Sequence, residues 1–186
     1  MDNAKLAVQE WLSGVVIGYN FCPFAGDALG KGKVRFEVCS ETSEELILSD
    51  LESELNMLAA SPDIETSLLI IDRALNDFGQ YNQFLDLAEA LVVELGHAGR
   101  FQIASFHPDY CFADVSQSDP SNYTNRAPYP VLHILRERSV EWAVENYTDL
   151  DLIPEKNIAR LHATTDAELE QIIRLSSPSK DSKENT

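Results

Sequence analysis

The densest polar cluster in the chain begins at His107-Pro108-Asp109 and continues through Asp119, Asn122, Asn125 and Arg126 to His133, Arg136 and Glu137. An imidazole and a carboxylate two residues apart, joined by a distal imidazole, form a set that coordinates Fe(II) or a similar divalent ion on one face. On an extended chain residues 107 and 109 point the same way, and Pro108 holds His107 out of helical geometry. His107, Asp109 and His133 are therefore candidate ligands for a divalent metal such as Fe, Mn or Zn. The same groups serve a metal-free acid–base site, in which Asp109 or Glu137 orients a histidine that titrates near neutrality. Arg126 or Arg136 would then fork onto a substrate carboxylate or phosphate, with Asn125 and Glu137 beside it. A third reading is structural: His107 and Asp109 cap a strand end, and Arg136 pairs with an aspartate to pin the loop.

A second candidate is Cys22, in Phe21-Cys22-Pro23-Phe24. A nucleophilic thiolate there needs a cation to lower its pKa, and Lys31, Lys33 or a histidine brought in by folding could supply one. The alternative is a small buried hydrophobe between phenylalanines. Cys39 and Cys111 carry no comparable signal, and His97 and His162 read as surface residues. The glycines of Gly26-Asp27-Ala28-Leu29-Gly30-Lys31-Gly32 do not make a phosphate loop. They are one residue too close, Gly32 replaces the metal-binding Ser/Thr, and the segment leads from helix to strand rather than from strand to helix.

Composition narrows the partners. The 186 residues hold 31 acids against 14 Lys+Arg, a formal charge of −17, so no broad basic face is available to displace phosphate counterions from nucleic acid. The acids crowd residues 41–65, which contain Glu41, Glu44, Glu45, Asp50, Glu52, Glu54, Asp63 and Glu65 and no base; this reads as a solvated helix face. The scarce bases gather on loops instead, with Lys31, Lys33 and Arg35 beside Cys22 and with Arg126 and Arg136 around the second irregular stretch. A small anionic molecule is the expected partner. No basic region precedes the apolar run Val15-Val16-Ile17, so neither a signal peptide nor a membrane span is expected. Three cysteines without a C-x-x-C pair suit a reducing cytoplasm.

These residues must be positioned by an alternating set of elements. Leu6, Val8, Trp11, Leu12, Val15 and Tyr19 predict an amphipathic helix over 4–19, followed by a long loop to residue 33. Residues 34–39 alternate as a strand, Thr42 or Ser43 can cap a helix over 44–60, and the continuously apolar 67–72 predicts a strand buried on both faces. A helix over 80–95 and a strand over 101–106 come next, then an irregular stretch over 107–130. Residues 131–136 read as a fourth strand, with Ser139 capping a short helix; the competing reading is one helix over 131–147, which would put His133, Arg136 and Glu137 on one face. Thr165 caps a last helix over 166–175, and 176–186 reads as a polar, disordered tail. The expected product is an α/β (or α+β) domain spanning 1–175, one sheet of about four strands with helices packed against it. The 24-residue gap between strands three and four admits a long hairpin or a crossover.

Residues 16–25 (Val-Ile-Gly-Tyr-Asn-Phe-Cys-Pro-Phe-Ala), Phe106-His107-Pro108-Asp109-Tyr110 and Asn125-Arg126-Ala127-Pro128-Tyr129-Pro130, with His133, Leu135, Arg136 and Glu137, resemble a bacterial family known as domain of unknown function 1415. The resemblance extends to about Leu175. It departs from the family's pattern at Ala127, where serine is usual, and at Cys111, where glutamine is usual. It implies that the Cys22 loop and the 107–137 region meet at one site, without implying a reaction.

Overall fold

The structure is a computed structural model and describes residues 3–146 and 152–178. Four strands, β1 (Val34–Cys39), β2 (Thr66–Ile71), β3 (Phe101–Phe106) and β4 (Val131–Arg136), form one sheet in the order β1-β2-β4-β3. β1 and β2 run parallel, and β4 is antiparallel to both β2 and β3. The expected fourth strand is therefore present, and the segment between β3 and β4 is a long hairpin connection. It inserts β4 between β2 and β3, so β1, β2 and β3 share one direction and their carboxyl ends lie on one edge of the sheet.

Helices cover both faces. α3 (Glu44–Ala60) and α4 (Phe78–Glu94) bury Ile47, Leu51, Leu55, Leu58, Tyr81 and Phe84 against Leu69, Ile71, Leu132 and Ile134. The opposite face takes α1 (Asn3–Trp11), α6 (Ile153–His162) and α7 (Asp166–Leu175), which pack Val8, Trp11, Leu161 and Ile172 on Phe36, Leu68, Ile70 and Val131. Because successive strand residues point to opposite faces, a strand enclosed from both sides must be apolar throughout. β2, Thr-Ser-Leu-Leu-Ile-Ile, is buried at every position.

Local chemistry sets the element ends. Ser43 accepts from the Leu46 N–H to cap α3, and Asp77 accepts from the Gln80 N–H at 2.9 Å to cap α4. Thr165 and Glu168 form a reciprocal capping box at α7. The first helix passes into a π-helical segment, Leu12–Ile17, with Gly18 N–H to Ser13 O at 3.1 Å and Phe21 N–H to Val16 O at 2.8 Å. Gly14 belongs to this segment because a Cβ there would stand 2.7 Å from Leu175 Cδ1, so its missing side chain lets α7 close.

Several expectations change. The loop expected before β1 holds a short helix, α2 (Ala25–Gly30). Ser139 caps nothing: α5 (Glu137–Asn146) follows β4 directly, and the Ser139 hydroxyl donates to the Glu65 carboxylate. α6 has no counterpart in the sequence reading. The expected tail begins with Ser176, which is buried and closes α7, and from 179 onward it lies outside the described residues.

The acidic face of α3 is solvated at Glu44, Glu45 and Glu52 but not at Glu54, which is 4% exposed. Arg35 of β1 grips the Glu54 carboxylate with Nε at 3.0 Å and Nη2 at 3.0 Å, and Ser67 Oγ donates to it at 2.7 Å. Arg35 also reaches Glu37 at 2.6 Å. The helix is thus bolted to β1 and β2 by a charge whose lone pairs are occupied, which is the condition for burying it. Glu54→Ala should cost about 2 kcal/mol, less than a fully enclosed pair because Arg35 keeps solvent contact. Thermal denaturation should show a fall of about 4–8 °C for a chain of this size, with Glu54→Gln falling less; an unchanged midpoint for Glu54→Ala would refute the bolt.

Candidate functional site

His107 is fully buried just beyond β3. Its Nε2 lies 3.0 Å from the Leu75 carbonyl, and its Nδ1 is 3.0 Å from the Asp109 N–H. Those partners fix the tautomer: Nε2 carries the proton and donates, and Nδ1 accepts. Phe78 and Tyr81 of α4 flank the ring at centroid separations of 5.3 and 5.1 Å. Burial holds its pKa below the ordinary imidazole value, against the opposite pull of the Leu75 carbonyl and of Asp109 and Asp77. The neutral ring therefore ties the β2–α4 loop to the β3–β4 connection. Leu75 needs the tie, because its φ of 55° lies in the left-handed region that non-glycine residues rarely enter.

The two loops joined in this way line a cavity of about 310 Å³, walled by Asn76, Asp77, Phe78, Asp109, Gln117 and Arg126. It lies beyond the carboxyl ends of β2 and β3, where open α/β sheets place their ligands because the loops diverge there. Arg126 donates from Nε to Tyr110 O at 3.0 Å and from Nη2 to Gln117 O at 2.8 Å, and stacks over the Tyr123 ring at 4.7 Å. Buried Asn122 sets the shape of this connection: its Oδ1 accepts from the Phe112 N–H at 3.0 Å, and its Nδ2 donates to Ser116 O at 2.8 Å. The wall combines two carboxylates, one guanidinium, two amides and an aromatic face, a set suited to binding a small polar molecule.

The structure brings together only part of the expected constellation. Asp109 and Arg126 line the cavity, and His107 stands behind it as a positioning group. The metal set does not assemble, for two reasons. Both nitrogens of His107 are engaged by the main chain, and His133 points to the other face of the sheet, where it meets Phe106 and its Nε2 lies 2.8 Å from Thr66 Oγ1. Among the described residues no group of three or more His, Cys, Asp or Glu is arranged to hold a metal. The Thr66 hydroxyl itself donates to Ile134 O at 2.6 Å, so the His133 Nε2 is the donor to Thr66, and desolvation pushes this histidine's pKa down to about 4.

Arg136 and Glu137 lie at the far end of β4. Arg136 is 4% exposed and donates to three main-chain carbonyls, Leu58 O at 2.7 Å, Ser61 O at 2.8 Å and Ile64 O at 2.9 Å. It pairs with the end of α3 rather than with an aspartate. Asn125 supports the loop from behind, donating from Nδ2 to Ser105 O at 3.2 Å. Cys22 packs as a half-buried apolar side chain against the cluster that holds Val8, Trp11 and Ala127 and does not line the cavity, and Lys31 is paired with Asp27 at 2.8 Å. Burial pushes the Cys39 thiol up to about 12. His97, expected at the surface, is 8% exposed against Phe101, whereas His162 is at the surface near Asp119. The sequence reading missed Asn76, Asp77, Phe78 and Gln117; the available signal was Asp77 as a helix cap directly after a buried strand.

Two expectations test this geometry. His107→Phe keeps an aromatic ring but removes both bonds, and should cost about 2–3 kcal/mol by urea denaturation; a loss under about 0.5 kcal/mol would mean that the ring merely fills space. Histidines held neutral by burial resist protons that the unfolded chain accepts near its ordinary value of about 6.5. Stability should therefore be full above that pH and fall as pH drops, with His133 contributing about 3 kcal/mol of loss by pH 4. Urea midpoints measured between pH 7 and 4.5 should fall less steeply for His133→Asn than for the wild type, and parallel slopes would contradict the assignment.

No curated protein and no solved structure matches the chain. A family match spans both faces of the sheet and all the loops of the cavity. Over residues 3–171 the sequence fits the family described as protein of unknown function (DUF1415), and the chain belongs to that family.

Proposed function

We propose that the protein is an enzyme acting on a small polar substrate that carries an anionic group, held in the cavity beyond β2 and β3. The observation that carries this reading is the convergence of Asn76, Asp77, Asp109, Gln117 and Arg126, from separate loops, on one 310 Å³ space. Arg126 takes the anionic group through N–H donors not engaged by Tyr110 and Gln117. Asp109, whose backbone is fixed by His107, is the group placed to accept a proton. Two carboxylates beside one guanidinium favour a substrate whose anionic group neighbours an ammonium or hydroxyl, as in amino and hydroxy acids. His133 takes no part in this chemistry. We place the protein in a reducing cytoplasm, since its three cysteines are free thiols. Its charge of −17 argues against nucleic acid, and among the described residues no helix is long and apolar enough to cross a membrane.

A second reading, a binding module without catalysis, draws on one observation: His107 and Arg126 both already serve as main-chain props. Thermal-shift titration with panels of amino acids and hydroxy acids, free of phosphate, separates the two. A ligand at a hundred times its Kd should raise stability by about 2.7 kcal/mol, Arg126→Gln should abolish the shift, and NMR of the mixture should show turnover that Asp109→Asn removes while binding persists. Binding without turnover selects the module, and failure of every panel overturns the cavity as a site.

A further inference from the structure

The opposite edge of the sheet carries a cavity of about 160 Å³ that the proposed function does not use, lined by Ala59, Pro62, Gly99, Arg100, Arg136 and Arg138. It lies at the amino ends of β2 and β3, one strand length or about 20 Å from the Asp109 cavity. A chain with 14 Lys+Arg against 31 acids brings three guanidinium groups to this one small space.

The end of α3 accounts for only part of that convergence. Its last carbonyls, the negative pole of the helix, take Nη2 of Arg136 at Leu58 O and Ser61 O and Nη2 of Arg100 at Ala59 O, 2.7 Å away, while Nε of Arg136 donates to Ile64 O in the loop that follows. Those bonds leave further N–H donors on both side chains and leave Arg138, carried by α5, without a role in capping. Among the described residues none of the three arginines is ion-paired with a carboxylate. The Phe101 ring holds two of the guanidinium groups, at 5.2 Å for Arg100 and 5.5 Å for Arg136, so they are oriented before anything binds. Burial and the Arg138 charge draw Arg136 below its ordinary value; Glu65 opposes this, and Arg100 adds to it.

We propose that this pocket binds a phosphate group, as inorganic phosphate or as the head of a small phosphomonoester. A tetrahedral dianion matches three convergent planar forks and relieves their mutual repulsion. The volume encloses one such group with a few waters, at about 30 Å³ each. The overall negative charge does not prevent this, because beyond about 8–10 Å it is screened at physiological ionic strength.

The full chain, titrated with inorganic phosphate at constant ionic strength and followed by thermal shift and by ³¹P line width, should show saturable binding. Arg138→Gln, on an exposed side chain that makes no hydrogen bond or ion pair among the described residues, should weaken it at least tenfold, and Arg100→Lys should weaken it less. Arg126→Gln and Asp109→Asn, in the other cavity, should leave it unchanged, so this site and the proposed function fail separately. Titration with glycerol 3-phosphate distinguishes the two forms: tighter binding than inorganic phosphate identifies an ester, and weaker binding the free ion. An absence of saturation, unchanged affinity in Arg138→Gln, or loss only in Arg126→Gln would each overturn the proposal.

Discussion

A single neutral imidazole holds the candidate site in shape. His107 donates to a carbonyl on the β2–α4 loop and accepts an N–H from its own loop. The two segments that wall the cavity therefore cannot move independently without stranding a buried polar group. The left-handed turn at Leu75 depends on that bond, and Asn76 and Asp77 take their direction from the turn. The neutral form is essential to this arrangement, because a protonated ring could no longer accept from Asp109. Burial between Phe78 and Tyr81 enforces neutrality.

The arginines divide along similar lines. Arg35 neutralises the buried Glu54, Arg136 satisfies the last carbonyls of α3, and Arg126 pins two carbonyls of the β3–β4 connection. Each meets acceptors that would otherwise be costly to bury. A guanidinium has five donors in a fixed plane, so it can serve the fold through one edge and still present another. In an acidic chain this leaves the residual donors of a few anchored arginines, Arg126 at one edge of the sheet and Arg100 and Arg136 at the other, free to meet an anion. Exposed acids such as Glu44, Glu45 and Glu52 keep the surface solvated without reaching either pocket.

Much of this was legible in the chain before folding, where local signals and tertiary demands agree. Alternation, caps and breakers placed the strands at 34–39 and 101–106 and the helix at 166–175. The continuous apolar run before Asp72 announced a strand covered on both sides. Asp109 and Arg126 were identifiable as cavity residues from their place in an irregular polar stretch. His107, His133 and Arg136 attracted attention for the same reason, and here composition misled: their polarity serves buried main-chain and side-chain partners rather than a shared ligand. Asn76 and Gln117 carried no signal, since an exposed amide on a loop is ordinary until a neighbouring loop closes over it.

By itself, then, the sequence determined the charge, most of the element types, the caps at Ser43 and Thr165 and the layered α/β class, all of which follow from short-range chemistry and periodicity. Only the tertiary structure decided which polar residues meet. Inserting β4 between β2 and β3 sends His133 to the face opposite His107 and carries Arg136 to the far edge from Arg126. Strand order and the two-residue period of side-chain direction fix those separations. Neither can be read from the spacing of the residues along the chain.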